Sequence, residues 1–369
     1  MRVQVIDCIE QLEAVAAEWD SVLSSSSADT VFLTSDWLIS WWEGFQPQGR
    51  IMCLAVRGPD GFALGFAPFY IRQKIRTGLS YQALLFLGDG TNDSEYMDIF
   101  CVKGHEDEVF PLVLDWLSAH QDQWDVCEWN IIPEDSLSLK FIKKWSLQNK
   151  FSYTGDIYEC SHILLPASYE EYLDSLNKKH GKNVRYYGSR ARKKSNVEYL
   201  AFDDHEILPQ GLDILYDLHK KRWNSVGLAG SFADQGRKKF YERMTRRFSK
   251  KGWLRLRQLN LFGRPAAIQI GFVYNNVYSA LQEGFDPELG KECPGVVLRS
   301  MHIQELIEEG VKVYDFLGYP SSAKERWNTR LHYCRSLTIP KNKVRAWTIV
   351  KVPGFLKRIK KRLRAIASG

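Results

Sequence analysis

Two segments about half a chain apart read alike: residues 51–71, IMCLAVRGPDGFALGFAPFYI, and residues 254–274, LRLRQLNLFGRPAAIQIGFVY. Each joins two strand-like runs through a Gly-containing turn, Pro59-Asp60-Gly61 in the first and Gly263-Arg264 in the second, a hairpin pattern. Each second run is rich in small and apolar residues and reaches a Pro-Phe or Gly-Phe pair. Strand and helix signals alternate around both hairpins. This predicts an α/β chain built from a duplicated domain, although any two hairpins share some of this likeness. The division is expected near residues 160–168, where Pro166 and Ser168 introduce a helix. It gives domains at 1–165 and 166–350, followed by a tail at 351–369.

In the first half, strands are expected at 2–7, 51–57, 62–72, 80–87, 95–102, 124–132 and 151–165. Helices are expected at 9–23, 36–45, 105–121 and 135–148, the second of them capped by Thr34 or Ser35. In the second half, helices are expected at 168–176, 178–194, 209–224, 235–249, 295–309 and 323–330. Strands fall at 197–203, 253–261, 265–274, 277–285, 311–317, 334–340 and 345–350.

The length of 369 residues suits about two domains, and 12 Trp, 17 Tyr and 19 Phe supply bulk for their cores. No apolar run is long enough to span a membrane. The start, MRVQVIDCIEQLEAV, lacks the layout of a secretory signal, so a cytoplasmic location is expected. Residues 351–369 carry seven Lys/Arg and no acid, which leaves a net charge of −1 on residues 1–350. Basicity therefore reads as a property of the tail, and a surface built throughout for nucleic acid is not expected. In the tail, Phe355, Leu356, Ile359, Leu363 and Ile366 fall mostly at helical spacing among the basic residues. This pattern fits a helix lying on an anionic membrane surface at the inner face, or a solvated terminal helix. The seven cysteines form no C-x-x-C pair and no Cys/His cluster with ligand spacing. Reduced thiols and no metal are expected.

Four stretches could carry chemistry. Residues 283–295 run from a strand through an Asp-Pro turn to Pro294-Gly295 and a helix. A helix N-terminus suits a phosphate, which makes Gly290, Lys291, Pro294 and Gly295 candidates for holding a donor, while a strand–turn–helix without ligand is the plain alternative. Residues 314–327 place Asp315 in an apolar strand, then Lys324 and Trp327 after a Gly/Pro/Ser loop. Such an ammonium can bind an anion or a developing oxyanion, or form a surface ion pair. Residues 177–195 hold eight Lys/Arg and no acid. Lys182 and Arg185 could bind an anionic substrate there, or the run could be a solvated face. The acidic loop 89–98 offers Glu95 and Asp98 to take a proton from an amine, or simply to shape turns. Trp37, Tyr96 and Trp327 complete the substrate-binding candidates, and His219 reads as structural.

Taken together, these motifs resemble the CelD-type members of the GNAT acyltransferase superfamily, relatives of the FemAB/FemX group. The matching residues are FDPE at 285–288, PGVVL at 294–298, Glu309-Gly310, DFLG at 315–318 and K-x-x-W at 324–327. Further matches are LHKKRW at 218–223, FLTSDW at 32–37 with Trp41, and EYMD at 95–98. The resemblance covers about residues 30–340. It implies an α/β (α+β layered) fold of tandem GNAT-like acyltransferase domains with mixed central sheets. It also implies acyl transfer to an amine, with acyl-CoA as donor substrate and no resident cofactor, and a role for Lys324 in stabilising the transfer intermediate. The loop Gly290–Gly295 reads Gly-Lys-Glu-Cys-Pro-Gly, which departs from the superfamily's Q/R-x-x-G-x-G/A pattern. CelD-type relatives are associated with cellulose and exopolysaccharide production, so an amino sugar or envelope precursor is the implied acceptor. Two other readings stand beside this one. The first is a FemAB-like transferase that uses aminoacyl-tRNA, the one case in which nucleic acid would be a partner. The second is a non-catalytic accessory protein of a polysaccharide synthesis complex.

Overall fold

The computed structural model describes residues 1–342, apart from Thr77 and Asn92, and Val344. The strand expected at 345–350 and the basic tail lie outside the described residues. The chain divides into two compact units. Unit 1 takes residues 1–42, 46–158 and the chain from Tyr333 onward, and unit 2 takes residues 43–45 and 159–332.

Unit 1 opens with β1 (Arg2–Ile6), α1 (Ile9–Ala14) and α2 (Ala16–Ser24). The single helix expected over 9–23 is interrupted at Val15, whose ψ of 6° leaves the helical range. Next comes α3 (Ser35–Phe45), where the Thr34 hydroxyl accepts the Trp37 N–H at 3.4 Å, an N-cap bond. Then follow β2 (Arg50–Ile51), β3 (Cys53–Arg57), β4 (Ala63–Ala67), β5 (Phe69–Arg76), β6 (Leu79–Phe86) and β7 (Phe100–Cys101). The second arm of the first hairpin, expected as one strand, is two. Pro68 has no N–H to give a ladder, and the chain changes sheet there. β4 stays in a four-stranded sheet of order β1-β3-β4-β7, while β5 pairs with β6 in another. After α4 (Glu106–Ala119), β8 (Val126–Pro133) pairs with β6 in parallel. Ser136 caps α5 (Leu137–Gln148), and β9 (Thr154–Leu164) carries the chain into unit 2.

In unit 2, α6 (Tyr169–Ser175) and α7 (Lys178–Lys194) begin at side-chain caps, Ser168 and Asn177. After β10 (Glu198–Ala201) come α8 (Leu208–Asn224) and α9 (Gln235–Lys250). A meander of β11 (Leu254–Leu261), β12 (Arg264–Tyr274) and β13 (Val277–Phe285) follows. α10 (Pro294–Glu308) then crosses to β14 (Val313–Asp315), which pairs with β13 in parallel and with β9 antiparallel. α11 (Ser322–Glu325) precedes β15 (Arg330–Pro340), whose later residues pair with β8. The chain thus ends its described course on unit 1, whereas residues 166–350 were expected to form one domain.

The duplication is visible in the topology. β5–β6–α4–β8 in unit 1 and β12–β13–α10–β14 in unit 2 each run hairpin, crossover helix and short parallel pair. Charge does not follow the duplication. Residues 159–332 hold 28 Lys/Arg against 21 Asp/Glu, while residues 1–158 and 333–350 together hold 15 against 23. The near-neutral body read from the sequence is therefore an acidic part and a basic part, and basicity is not confined to the tail.

Candidate active site

In unit 2, β13 and β14 pair only at Val277↔Val313, Tyr278↔Tyr314 and Ser279↔Asp315. β14 ends at Asp315, while β13 continues to Phe285 against β12. The two central strands therefore part just beyond Ser279. At the same place the β12–β13 ladder slips: Gly271 faces Ala280 but Ile270 faces Gln282, which leaves Leu281 as the extra residue. A bulge takes its backbone groups out of the regular ladder, so it offers a main-chain donor where β14 no longer runs.

Asp315 turns the chain away from the sheet. Its carboxylate accepts the Leu317 N–H at 2.8 Å, and Leu317 adopts a left-handed φ of 52°. Lys324 braces the loop that follows. Its Nζ donates to the carbonyl of Leu317, to that of Tyr319 at 2.9 Å and, longer, to that of Gly318 at 3.4 Å. Beyond the bulge, Glu283 pairs with Arg299 of α10 and with Arg222 of α8, the latter at 3.3 Å. Burial alone would raise the Glu283 carboxyl, but Arg299 and Arg222 outweigh it and hold it below the usual carboxylate range, with Lys324 acting in the same sense. The Arg299 guanidinium also sits 5.3 Å from the Phe316 ring centre and 5.4 Å from that of Trp327. Arg299 was not singled out from the sequence, while Arg222 and Glu283 entered it only as members of the stretches 218–223 and 283–295, with no role assigned. The available signal was a lone arginine in the apolar run VVLRSMHI.

The helix that follows the bulge begins without a side-chain cap. Cys293 precedes α10 in a left-handed conformation (φ 49°), and Pro294 occupies its first turn. Pro294 is buried and Lys291 exposed. A Cβ placed on Gly290 or Gly295 would meet nothing within 4 Å, so the first turn of α10 is approachable from outside. Pro294 has no N–H to offer, and the N–H groups of Val296 and Val297 donate to the Cys293 carbonyl at 2.9 and 3.2 Å, so in the first turn it is the Gly295 N–H that is left without a helical partner.

Other expected site residues have different surroundings. Lys182 is exposed on α7, and Arg185 is exposed and paired with Glu170 and Asp174 on α6. Trp327 is 2% exposed and belongs to the core of unit 2. His219, expected to be structural, is buried on α8. Its Nε2 accepts the Trp223 Nε1–H at 2.8 Å, and burial lowers its pKa to about 4. Gly284 lets α8 lie this close to β13, because a Cβ there would fall 2.5 Å from the His219 backbone nitrogen.

Glu95, Asp98, Tyr96 and Trp37 belong to unit 1. Asp98 is buried and accepts hydrogen bonds from the hydroxyls of Ser136 and Ser138 at the start of α5, and from its neighbour Ile99 N–H at 2.8 Å. Burial nevertheless raises its pKa to about 6. Together with Tyr96, which has φ 52°, it lines a cavity of about 270 Å³ whose other walls include Thr30, Phe110 and Asp135. Glu95 is buried and accepts the Tyr158 hydroxyl at 3.1 Å. Trp37 is a core residue whose Nε1–H donates to Ser94 at 2.9 Å. Unit 1 thus brings Asp98 and Tyr96 to one cavity, and unit 2 brings Asp315 and Lys324 to one loop.

Residues 178–327 match the family model described as an acetyltransferase (GNAT) domain. Among solved structures, FemX has a TM-score of 0.64 at 12% identity, with 95% of this chain and 100% of that one covered. L-PGS from Bacillus licheniformis has a TM-score of 0.54 at 12% identity, covering 90% and 92%. A conserved protein of unknown function from Bacteroides thetaiotaomicron has a TM-score of 0.51 at 11% identity, covering 92% and 100%. At these identities the likeness is one of fold. No curated protein matches the chain. With the GNAT model matched over most of unit 2 and a likeness of fold to FemX over nearly its whole length, the chain is a tandem GNAT-fold protein whose residues 178–327 match the acetyltransferase (GNAT) domain model.

Proposed function

We propose that the protein is an N-acyltransferase that moves an acyl group from acyl-CoA to an amine acceptor. The observation that carries this reading is the parting of β13 and β14 at the Leu281 bulge, followed after the rest of β13 and a turn at Pro287–Glu292 by the start of α10, which has no side-chain cap. The thioester arm would enter between the strands, and the donor's phosphates would rest on the helix start around Gly295. The neutral amine attacks the thioester carbonyl carbon. The carbonyl oxygen takes up negative charge, stabilised by the main-chain N–H at the bulge and by the positive field of Lys324. Collapse breaks the carbon–sulfur bond. The CoA thiolate leaves and takes a proton, and the nitrogen gives one up. A carboxylate such as Asp315 receives that proton directly or through water.

The positive balance of residues 159–332 and the exposed lysines of α7 favour a second reading, in which aminoacyl-tRNA is the donor. One experiment separates the two. The full chain is incubated with a panel of acyl-CoA thioesters and with charged tRNA, and thermal shift and release of free CoA thiol are measured. Stabilisation by CoA thioesters with acceptor-dependent thiol release supports the first reading. Stabilisation by charged tRNA alone supports the second.

A further inference from the structure

The last rung shared by the three strands at the parting is Ser279 on β13, Asp315 on β14 and His162 on β9, all within unit 2. Residues directly opposite each other on antiparallel strands project to the same side, with Cβ atoms about 4.5–5.5 Å apart. The His162 side chain therefore stands beside that of Asp315. The Asp315 residue is 4% exposed, so a proton taken up on its carboxylate needs a path to water. Next to His162 lies His332, also of unit 2, with the two Nδ1 atoms 3.1 Å apart. Both imidazoles are half-buried. A hydrogen bond between two Nδ1 atoms needs a proton on one and a lone pair on the other, which leaves the Nε2 of His162 for Asp315. The titratable and charged groups around His162 are Asp315 of β14, His332 and Arg330 of β15, and the buried Cys160, two residues back on β9 itself. Burial lowers the His162 pKa, His332 adds to this, Asp315 opposes it and Arg330 lowers it a little more. At neutral pH the resting ring is neutral and can accept a proton.

We propose that His162 and His332 form a proton outlet, carrying to water the proton that Asp315 takes from the acceptor nitrogen; this rests on the acyl-transfer reading above. Asp315 receives the proton from the attacking nitrogen and becomes a carboxylic acid. It passes the proton, directly or through one water, to Nε2 of His162, which becomes an imidazolium. The Nδ1 proton of His162 crosses the short bond to Nδ1 of His332, and His332 releases a proton from its own Nε2 to water. One proton enters and one leaves, so charge and atoms balance. The two rings finish as the opposite tautomers and reset by exchange with water. Neither imidazole touches the substrate, and both act through Asp315. An imidazole suits this task because its two nitrogens take up and give off protons near neutral pH. The sequence conceals the pair because His162 and His332 are 170 positions apart, and neither belongs to a motif.

The test measures acyl transfer by the full chain at saturating acceptor and saturating donor, acyl-CoA or charged tRNA, whichever the wild type uses. His162→Ala should lower kcat by roughly 10- to 100-fold, toward the lower end of proton-transfer effects, with KM little changed. Free imidazole added to this variant should restore part of the loss. Its kcat should also rise with buffer concentration, because buffer then carries the proton, while the wild-type value should not. A merely structural role for the ring would give neither response. His332→Gln keeps a hydrogen-bonding group beside His162 but carries no proton, and it should lower kcat in the same way. It decides the matter if His162→Ala does not fold. Wild-type kcat in either folded variant overturns the outlet alone, as does a loss in His162→Ala that neither imidazole nor buffer restores. A wild type that transfers from neither donor overturns the acyl-transfer reading, and the outlet with it.

Discussion

Replacing Gly295 by glutamate should move stability and donor binding in opposite directions. Gly295 is the second residue of α10, and a Cβ there meets nothing within 4 Å. A side chain therefore costs no packing. Losing a helical glycine stabilises by about 0.5–1 kcal/mol, and an acid in the first turn adds about 0.3–1 kcal/mol. The variant should melt a few degrees higher than wild type. A bound phosphate would feel the opposite. A carboxylate about 6 Å from one phosphate charge, at an effective dielectric of about 20, costs about 3 kcal/mol, or about 100-fold in Kd. Gly295→Ala serves as the control, gaining stability without the charge. The assay is calorimetric titration with CoA beside thermal melting. A folded Gly295→Glu protein that binds CoA with the wild-type Kd would refute the placement of donor phosphates at α10. A wild type that binds no CoA would instead point to another donor.

Lys324→Met should lower turnover by roughly 10²-fold, the size expected for a lost oxyanion donor. Because the ammonium also braces the carbonyls of Leu317, Gly318 and Tyr319, some loss of stability should accompany it; wild-type kcat in the folded variant would remove Lys324 from the reaction. The carboxyl of Asp98 is raised by burial from 3.8 to about 6. Its native state therefore holds the proton more tightly than the unfolded chain, giving a stabilisation that is full below about pH 3.8 and lost as pH rises through about 6. That difference is worth about 3 kcal/mol. Asp89, also raised by burial to about 6, acts in the same sense, so Asp98→Asn should reduce but not abolish the fall in urea midpoint between pH 4 and pH 7. An unchanged fall would show that Asp98 does not titrate as described.

Local signals carried the elements whose causes are local. Val277–Phe285 was legible because turn residues bound it on both sides, and α3 because Thr34 caps it. Pro68 was in plain view, but its effect depends on which sheet each neighbouring strand joins, and that is a long-range choice. For the same reason β15 could be read as a strand but not assigned to unit 1. Among site residues, Asp315 and Lys324 stood out as polar groups around an apolar strand, and the structure gives them one loop. Arg299 was hidden, and the role of Arg222 unassigned, because their shared partner, Glu283, lies on a third element. Trp327, read as a ligand contact, is buried core; aromatic type alone does not distinguish the two.

The bulge at Leu281 also sets the phase of β13. Tyr278 meets His302 of α10 edge to face, and Glu283, five residues on, pairs with Arg299 of the same helix. In an unbroken strand, residues an odd number apart look to opposite sides. Here the extra residue restores both to one side, while Gly284 is left against α8. Deleting one residue between 279 and 282 would therefore do more than shorten the strand. It would turn Glu283 away from Arg299 and bring a side chain where Gly284 now lies against α8, or shift the whole segment after it by one rung. The strand tolerates substitution far better than a change of length, and its length is as much a part of the site as any charge in it.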